Sequence, residues 1–170
     1  MTENAILTAT SAEDGSFSFA RVPYGNWIVR EIEAPTGFVL SEKTYPVTID
    51  ADGAVIEAEI ENTRIRGTVQ LTKIDRDYPD NKLTGAEFTV YRDSNGNKEL
   101  DADDELLGTL TETGIGVYEM PDLLYGGYFV KETKTPEGFY LDNNAYHFDI
   151  TDDGNTVAGD NESGKGIVNA

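Results

Sequence analysis

The sequence predicts an all-β protein made of antiparallel sandwiches of the immunoglobulin-like kind, and three observations predict it. Short runs alternate apolar and polar residues, turn pairs such as Asp14-Gly15 and Asp153-Gly154 punctuate them, and no long window carries an apolar face at helical spacing. The runs follow one another along the chain as FSFARV, WIVRE, YPVTID, VIEAEIE, TVQLTK, EFTVY, LLGTLTET, YFVKE, YHFDI and GIVNA. Each is a strand length, and each alternates so that one face is apolar.

An internal repeat divides these strands into two sets. The segment GNWIVREIEAPTGFVL from Gly25 matches GGYFVKETKTPEGFYL from Gly126, pairing Glu31 with Glu132, Pro35 with Pro136 and Gly37 with Gly138 at a constant offset of 101 positions. The register runs outward without a gap, from Gly15/Gly116 through Tyr24/Tyr125 and Tyr45/Tyr146 to Gly53/Gly154. Two copies of one domain are therefore expected in tandem, over residues 1–65 and 66–170. The stretch from Gly67 to Gly116 is far longer than that from Met1 to Gly15, so the first copy is expected to be N-terminally incomplete and to lack its opening strand.

Composition narrows the function. Of 170 residues, 32 are acidic and 13 basic, a net charge of −19, which argues against nucleic acid and anionic membrane surfaces as partners. Cysteine is absent, which removes disulfides and thiolate chemistry, and one histidine, His147, cannot build a multi-histidine metal centre. No apolar run is long enough to insert into a bilayer, and MTENAILTAT lacks the charged and apolar regions of a signal peptide. His147 alternates with Tyr146 and Phe148 and reads as an exposed strand residue. Trp27 and the tyrosines read as core packing rather than a sugar-stacking platform.

Strand phase sends three polar residues inward. Glu132 shares a face with Tyr128 and Val130, Lys73 with Val69 and Leu71, and Asn169 with Ile167. In the first copy Glu31 shares a face with Trp27 and Val29, and Asn62 with Ile56, Ala58 and Ile60. A buried unpaired charge is costly, so groups phased in this way are expected to meet.

GTVQLTKID, LTGAEFTVY, GGYFVKETKTPEGFYL and the terminal IVNA resemble a collagen-adhesin B-type (CnaB, SpaA-like pilin) domain of Gram-positive surface proteins, with its lysine strand, E-box and closing asparagine strand. The resemblance implies inverse-immunoglobulin, prealbumin-like sandwiches and a spontaneous intramolecular isopeptide bond. Lys73 would be the nucleophile, Asn169 the electrophilic amide and Glu132 the proton-transfer catalyst, a single-turnover self-modification with no cofactor required and no ordinary enzyme activity. The first copy keeps Glu31 and Asn62, but its only lysine, Lys43, follows the E-box, so its partner lysine would come from a strand upstream or on another molecule. The role implied is a stalk or spacer module of a surface adhesin or pilin, extracellular and cell-wall-anchored through other parts of a larger protein, with neighbouring domains as partners. The alternative is an adhesin module that binds a host matrix protein or glycan.

The acidic segment DSNGNKELDADDE fits a calcium-loop template, with Asp93, Asn95, Asn97, Asp101 and Asp104 at positions 1, 3, 5, 9 and 12 and the Glu99 carbonyl at 7. The template glycine at position 6 is Lys98, and position 12 is Asp in place of Glu. A solvated acidic hairpin insertion explains the segment equally well.

Overall fold

The computed structural model describes residues 6–158 and the backbone of residues 167–169. All its regular elements are strands, and the chain divides into two compact units, Met1–Thr63 and Arg64–Ala170.

In the first unit β1 (Gly25–Arg30) pairs antiparallel with β2 (Thr44–Ile49), running from Gly25 opposite Ile49 to Arg30 opposite Thr44. The connection opens with the Pro35-Thr36-Gly37 turn, closed by the Phe38 N–H on the Pro35 carbonyl. Its third residue needs a positive φ, which Gly37 supplies at 83°. The second unit repeats this turn, with Phe139 N–H on the Pro136 carbonyl and Gly138 at φ 89°. The runs FSFARV and VIEAEIE, expected as strands, join no ladder among the described residues. Alternation marks a face but supplies no hydrogen-bonding neighbour, and no described residue of this unit is fully buried.

The second unit has two facing sheets. One holds β3 (Arg66–Asp75), β7 (Val117–Leu124) and β6 (Thr111–Gly114) as an antiparallel series. The other has the order β5 (Glu105–Thr109), β4 (Glu87–Arg92), β8 (Gly126–Lys134), β9 (Ala145–Ile150). LLGTLTET, read as one strand, thus divides between the two sheets as β5 and β6. Along the free edge of β3 lie β10 (Thr156–Ala158) and β11 (Ile167–Asn169), both parallel to it.

Inward-phased residues of both sheets form the core: Val69 and Leu71 from β3, Phe88 and Val90 from β4, Tyr128 and Val130 from β8. The Phe88 and Tyr118 rings meet edge to face at 5.0 Å, and Tyr128 stacks on Phe148 at 5.5 Å. The expectation that the tyrosines pack holds for Tyr118 and Tyr128, but Tyr24, Tyr78 and Tyr140 are exposed, because they fall in turns and connections where strand phase does not apply.

Candidate functional site

At the far end of this core the apolar pattern of β3 is broken by Lys73 and that of β8 by Glu132, and both side chains are closed off from solvent. The strands belong to opposite sheets, so the two side chains meet across the sandwich, with Lys73 Nζ 3.0 Å from Glu132 Oε1. Nζ also stands 5.7 Å from the centre of the Phe88 ring, a cation–π contact.

Each neighbour of Lys73 has a physical reason to be there. The Lys73 backbone N–H donates to the Gly116 carbonyl, and its own carbonyl accepts from Leu83 N–H. Gly116 sits at φ 63°, and a Cβ there would lie 2.9 Å from Leu83 N, so only glycine lets the 82–83 segment close over the strand. Burial lowers the Lys73 pKa, against the hydrogen bond and charge of Glu132 and the charge of Asp142, which raise it.

Glu132 is held at both oxygens. Oε2 accepts the Asp142 backbone N–H at 2.8 Å, while Oε1 faces Lys73. The Asp142 carboxylate in turn accepts the Tyr146 hydroxyl at Oδ2 and the Asn144 N–H at Oδ1. Neither Asp142 nor Tyr146 stood out in the sequence. The available signal was the Tyr45/Tyr146 match within the repeat.

The third residue of the expected triad, Asn169, lies on β11, where only backbone placement is described. β11 runs parallel to β3 with Ile167 opposite Lys73 and Asn169 opposite Asp75, two positions along. In the first unit Glu31 and Asn62 are brought together. Asn62 Nδ2 donates to Glu31 Oε2 at 2.7 Å and to the Val39 carbonyl at 3.3 Å, and Ser41 N–H donates to the same Oε2 at 2.8 Å.

The acidic loop is organised by its own polar groups. Asp93 accepts the Gly96 and Lys98 N–H groups, Asp101 accepts the Asn95 and Asn97 amides, and Asp104 accepts the Ser94 and Asp101 N–H groups. The Asn95 and Asn97 side-chain oxygens accept the Asn97 and Glu99 N–H groups. Lys98, at the template's glycine position, itself adopts a φ of 62°. Among the described residues no group of three or more acidic or histidine side chains is disposed to hold a metal ion, so the calcium expectation gains no support.

His147 is not the exposed residue expected. Asp93 continues the β4–β8 ladder, with its N–H on the Gly127 carbonyl, and its side chain lies beside His147 on the outer face. That leaves His147 edge-on to Phe129 at 5.1 Å, with Nε2 3.5 Å from Asp93 Oδ2. Strand alternation cannot foresee a side chain that covers the outward face.

The SpaA model, a prealbumin-like fold domain, matches residues 2–64 and again 67–163. The chain belongs to the SpaA prealbumin-like domain family. Both tandem repeat units thus have the prealbumin-like fold, the resemblance read from the twice-occurring E-box is borne out, and the family is one of non-enzymatic structural domains. The TIE protein of Bacillus anthracis superimposes with a TM-score of 0.75 at 26% identity, over 88% of this chain and 27% of that one. The major pilin subunit BcpA of Bacillus cereus aligns at 25% identity over 77% of this chain and 34% of its own, with a TM-score of 0.45. The T6 backbone pilin of serotype M6 Streptococcus pyogenes aligns at 24% identity over 52% of this chain and 17% of its own, with a TM-score of 0.41. The chain therefore spans about a quarter of the TIE chain and a third of BcpA. No curated protein matches it.

Proposed function

We propose that this chain is a stalk or spacer segment of a Gram-positive surface adhesin or pilin, extracellular and joined to neighbouring domains, and that its second unit is stapled by a self-formed isopeptide bond between Lys73 and Asn169. The observation that carries the reading is the Lys73–Glu132 pair, enclosed between the two sheets beside the strand that bears Asn169.

The chemistry follows from burial. Moving one proton from Nζ to Oε1 across the 3.0 Å contact converts the buried ion pair into a neutral amine and a neutral acid, a conversion that costs less in a low-dielectric site than in water. The amine lone pair attacks Cγ of Asn169 while the protonated Glu132 polarises the amide oxygen. The Cγ–Nδ2 bond then breaks as Glu132 gives its proton to the departing nitrogen and takes one from the attacking nitrogen, so that an amide forms, one ammonia leaves and Glu132 ends protonated. Holding the groups on adjacent strands makes a sluggish aminolysis effectively unimolecular.

Intact mass of the purified chain is the test. The expected value is the sequence mass less one ammonia, with a Lys73–Asn169 linked peptide after digestion, and the full mass in Lys73→Ala and Asn169→Ala. A wild-type chain of full mass refutes the reading.

The same reading extends to the first unit, where Glu31 already holds the Asn62 amide. We take this pair as the acid and amide of an equivalent site whose lysine comes from a donated strand. A peptide copying residues 66–76 should form a covalent adduct at Asn62, and an adduct that persists in Asn62→Ala would refute it.

A further inference from the structure

Glu132 can serve as proton carrier only if its carboxylate keeps one oxygen on Lys73. The pair is held together by the segment between β8 and β9, which has no ladder of its own to fix it. We propose that Asp142 and Tyr146 are positioning residues for Glu132: the Tyr146 hydroxyl holds the Asp142 carboxylate, which fixes the Asp142 N–H on Oε2 and leaves Oε1 on Lys73. This role rests on the cross-linking reading above.

Three observations carry it. The contacts are continuous, from Tyr146 OH to Asp142 Oδ2, from Asp142 N–H to Glu132 Oε2, and from Glu132 Oε1 to Lys73 Nζ. The Asn144 N–H on Asp142 Oδ1 locks the remaining oxygen, so the turn that presents the N–H is held at both ends of one carboxylate. The repeat preserves the clamp: ten residues after its own glutamate, Ser41 N–H donates to Glu31 Oε2, and Tyr45 falls at the position of Tyr146. What the two units share is the backbone N–H. What differs is the carboxylate, present as Asp142 in the unit whose glutamate faces a lysine and replaced by Ser41 in the unit whose only lysine, Lys43, follows the E-box.

Asp142 therefore has two separable effects, one geometric and one electrostatic. Its charge favours the ammonium form of Lys73, as does that of Glu132 on β8, while the Tyr146 hydroxyl on β9 is hydrogen-bonded to Asp142 and also feels the Glu132 charge. Tyr146→Phe removes the geometric hold and keeps both charges. Asp142→Asn keeps the N–H and an acceptor for the phenol, gives up the acceptor for the Asn144 N–H, and removes one charge. Asp142→Ala removes both.

The experiment is cell-free synthesis of the full chain, quenched in denaturant at intervals, with ammonia loss followed by intact mass across a range of pH. Tyr146→Phe should slow cross-linking roughly ten- to a hundred-fold with an unchanged pH profile, the scale of a small misplacement of reacting groups. Asp142→Asn should react at close to the wild-type rate with its profile displaced to lower pH, and Asp142→Ala should be both slow and displaced. Melting temperatures of the same variants in an Asn169→Ala background measure any purely structural effect. Tyr146→Phe reacting at the wild-type rate, or slowing only in proportion to lost stability, overturns the positioning role. A wild-type chain that never loses ammonia overturns the cross-link and this role with it.

Discussion

Replacing Glu132 by alanine gives the sharpest energetic prediction. It is best made in an Asn169→Ala background, where no covalent link contributes. Lys73 is fully enclosed and would lose the carboxylate 3.0 Å away. If it stays charged, breaking the buried pair costs about 3–5 kcal/mol. If it sheds its proton, the cost at pH 7 is set by the distance to its ordinary value of 10.5. That is roughly 3.5 units at 1.36 kcal/mol each, or about 5 kcal/mol. The two routes agree, so we expect a loss of about 4 kcal/mol at pH 7, reduced to about 2 kcal/mol at pH 9, where deprotonation is easier. Urea unfolding followed by circular dichroism at both values measures it. The double replacement Lys73→Met with Glu132→Leu should come back to within about 2 kcal/mol of the background, because no buried charge is stranded and only the Asp142 N–H loses its acceptor. A single variant losing less than about 1 kcal/mol, or a loss that does not shrink at pH 9, refutes the account of the pair. The cross-link, when formed, adds a separate term: by analogy with a disulfide, closing a loop of about 97 residues is worth about 4.7 kcal/mol.

Other outcomes follow from neighbouring features. Gly116→Ala forces a Cβ to within 2.9 Å of the 82–83 backbone and strains a positive φ, so it should destabilise the second unit by about 2 kcal/mol in the same urea assay. Burial and its bond to Asp142 push the Tyr146 pKa from 10.0 up to about 12. The unfolded chain releases that proton near pH 10 and the folded chain retains it, so the contribution is complete below pH 10 and is lost as pH rises through 12. Urea unfolding across that window should show the decline, and Tyr146→Phe should flatten it. Millimolar calcium should leave the melting temperature unshifted, since the carboxylates of the acidic loop are already engaged by its own N–H groups. A calcium-dependent rise abolished by Asp93→Ala would show otherwise.

The parts of this fold legible in the sequence are those governed by strand phase. β3 alternates cleanly, and in β8 Glu132 keeps the phase of Tyr128 and Val130 although Phe129 between them is buried too, so Lys73 and Glu132 could be sent inward before any partner was known. The E-box turn was legible because Gly37 and Gly138 mark positions that other residues enter only at a cost. Phase says nothing about which run finds a neighbour, and so FSFARV and VIEAEIE were read as strands that join no described ladder. Nor does it reach contacts made between segments. The clamp of Asp142 on Glu132 arises where a connection folds back on a sheet, and the covering of His147 by Asp93 where β4 runs on beyond its last paired residue; only the 101-residue offset hinted at the first.

The parallel pairing at the edge of β3 has a mechanical consequence. The chain enters the second unit at Arg66 and its last described strand runs in the same direction past Asp75, so entry and exit lie at opposite ends of one edge. With about 3.3 Å per residue, β3 alone spans roughly 30 Å between them. Tension along the chain then acts in shear on the β3 ladder, loading its hydrogen bonds together, where a peeling geometry would break them one at a time. A bond from residue 73 to residue 169 would take everything between them out of the load path. The strands β4 to β9 and the acidic insertion would then be mechanically silent, free to change sequence or length while the unit keeps its step.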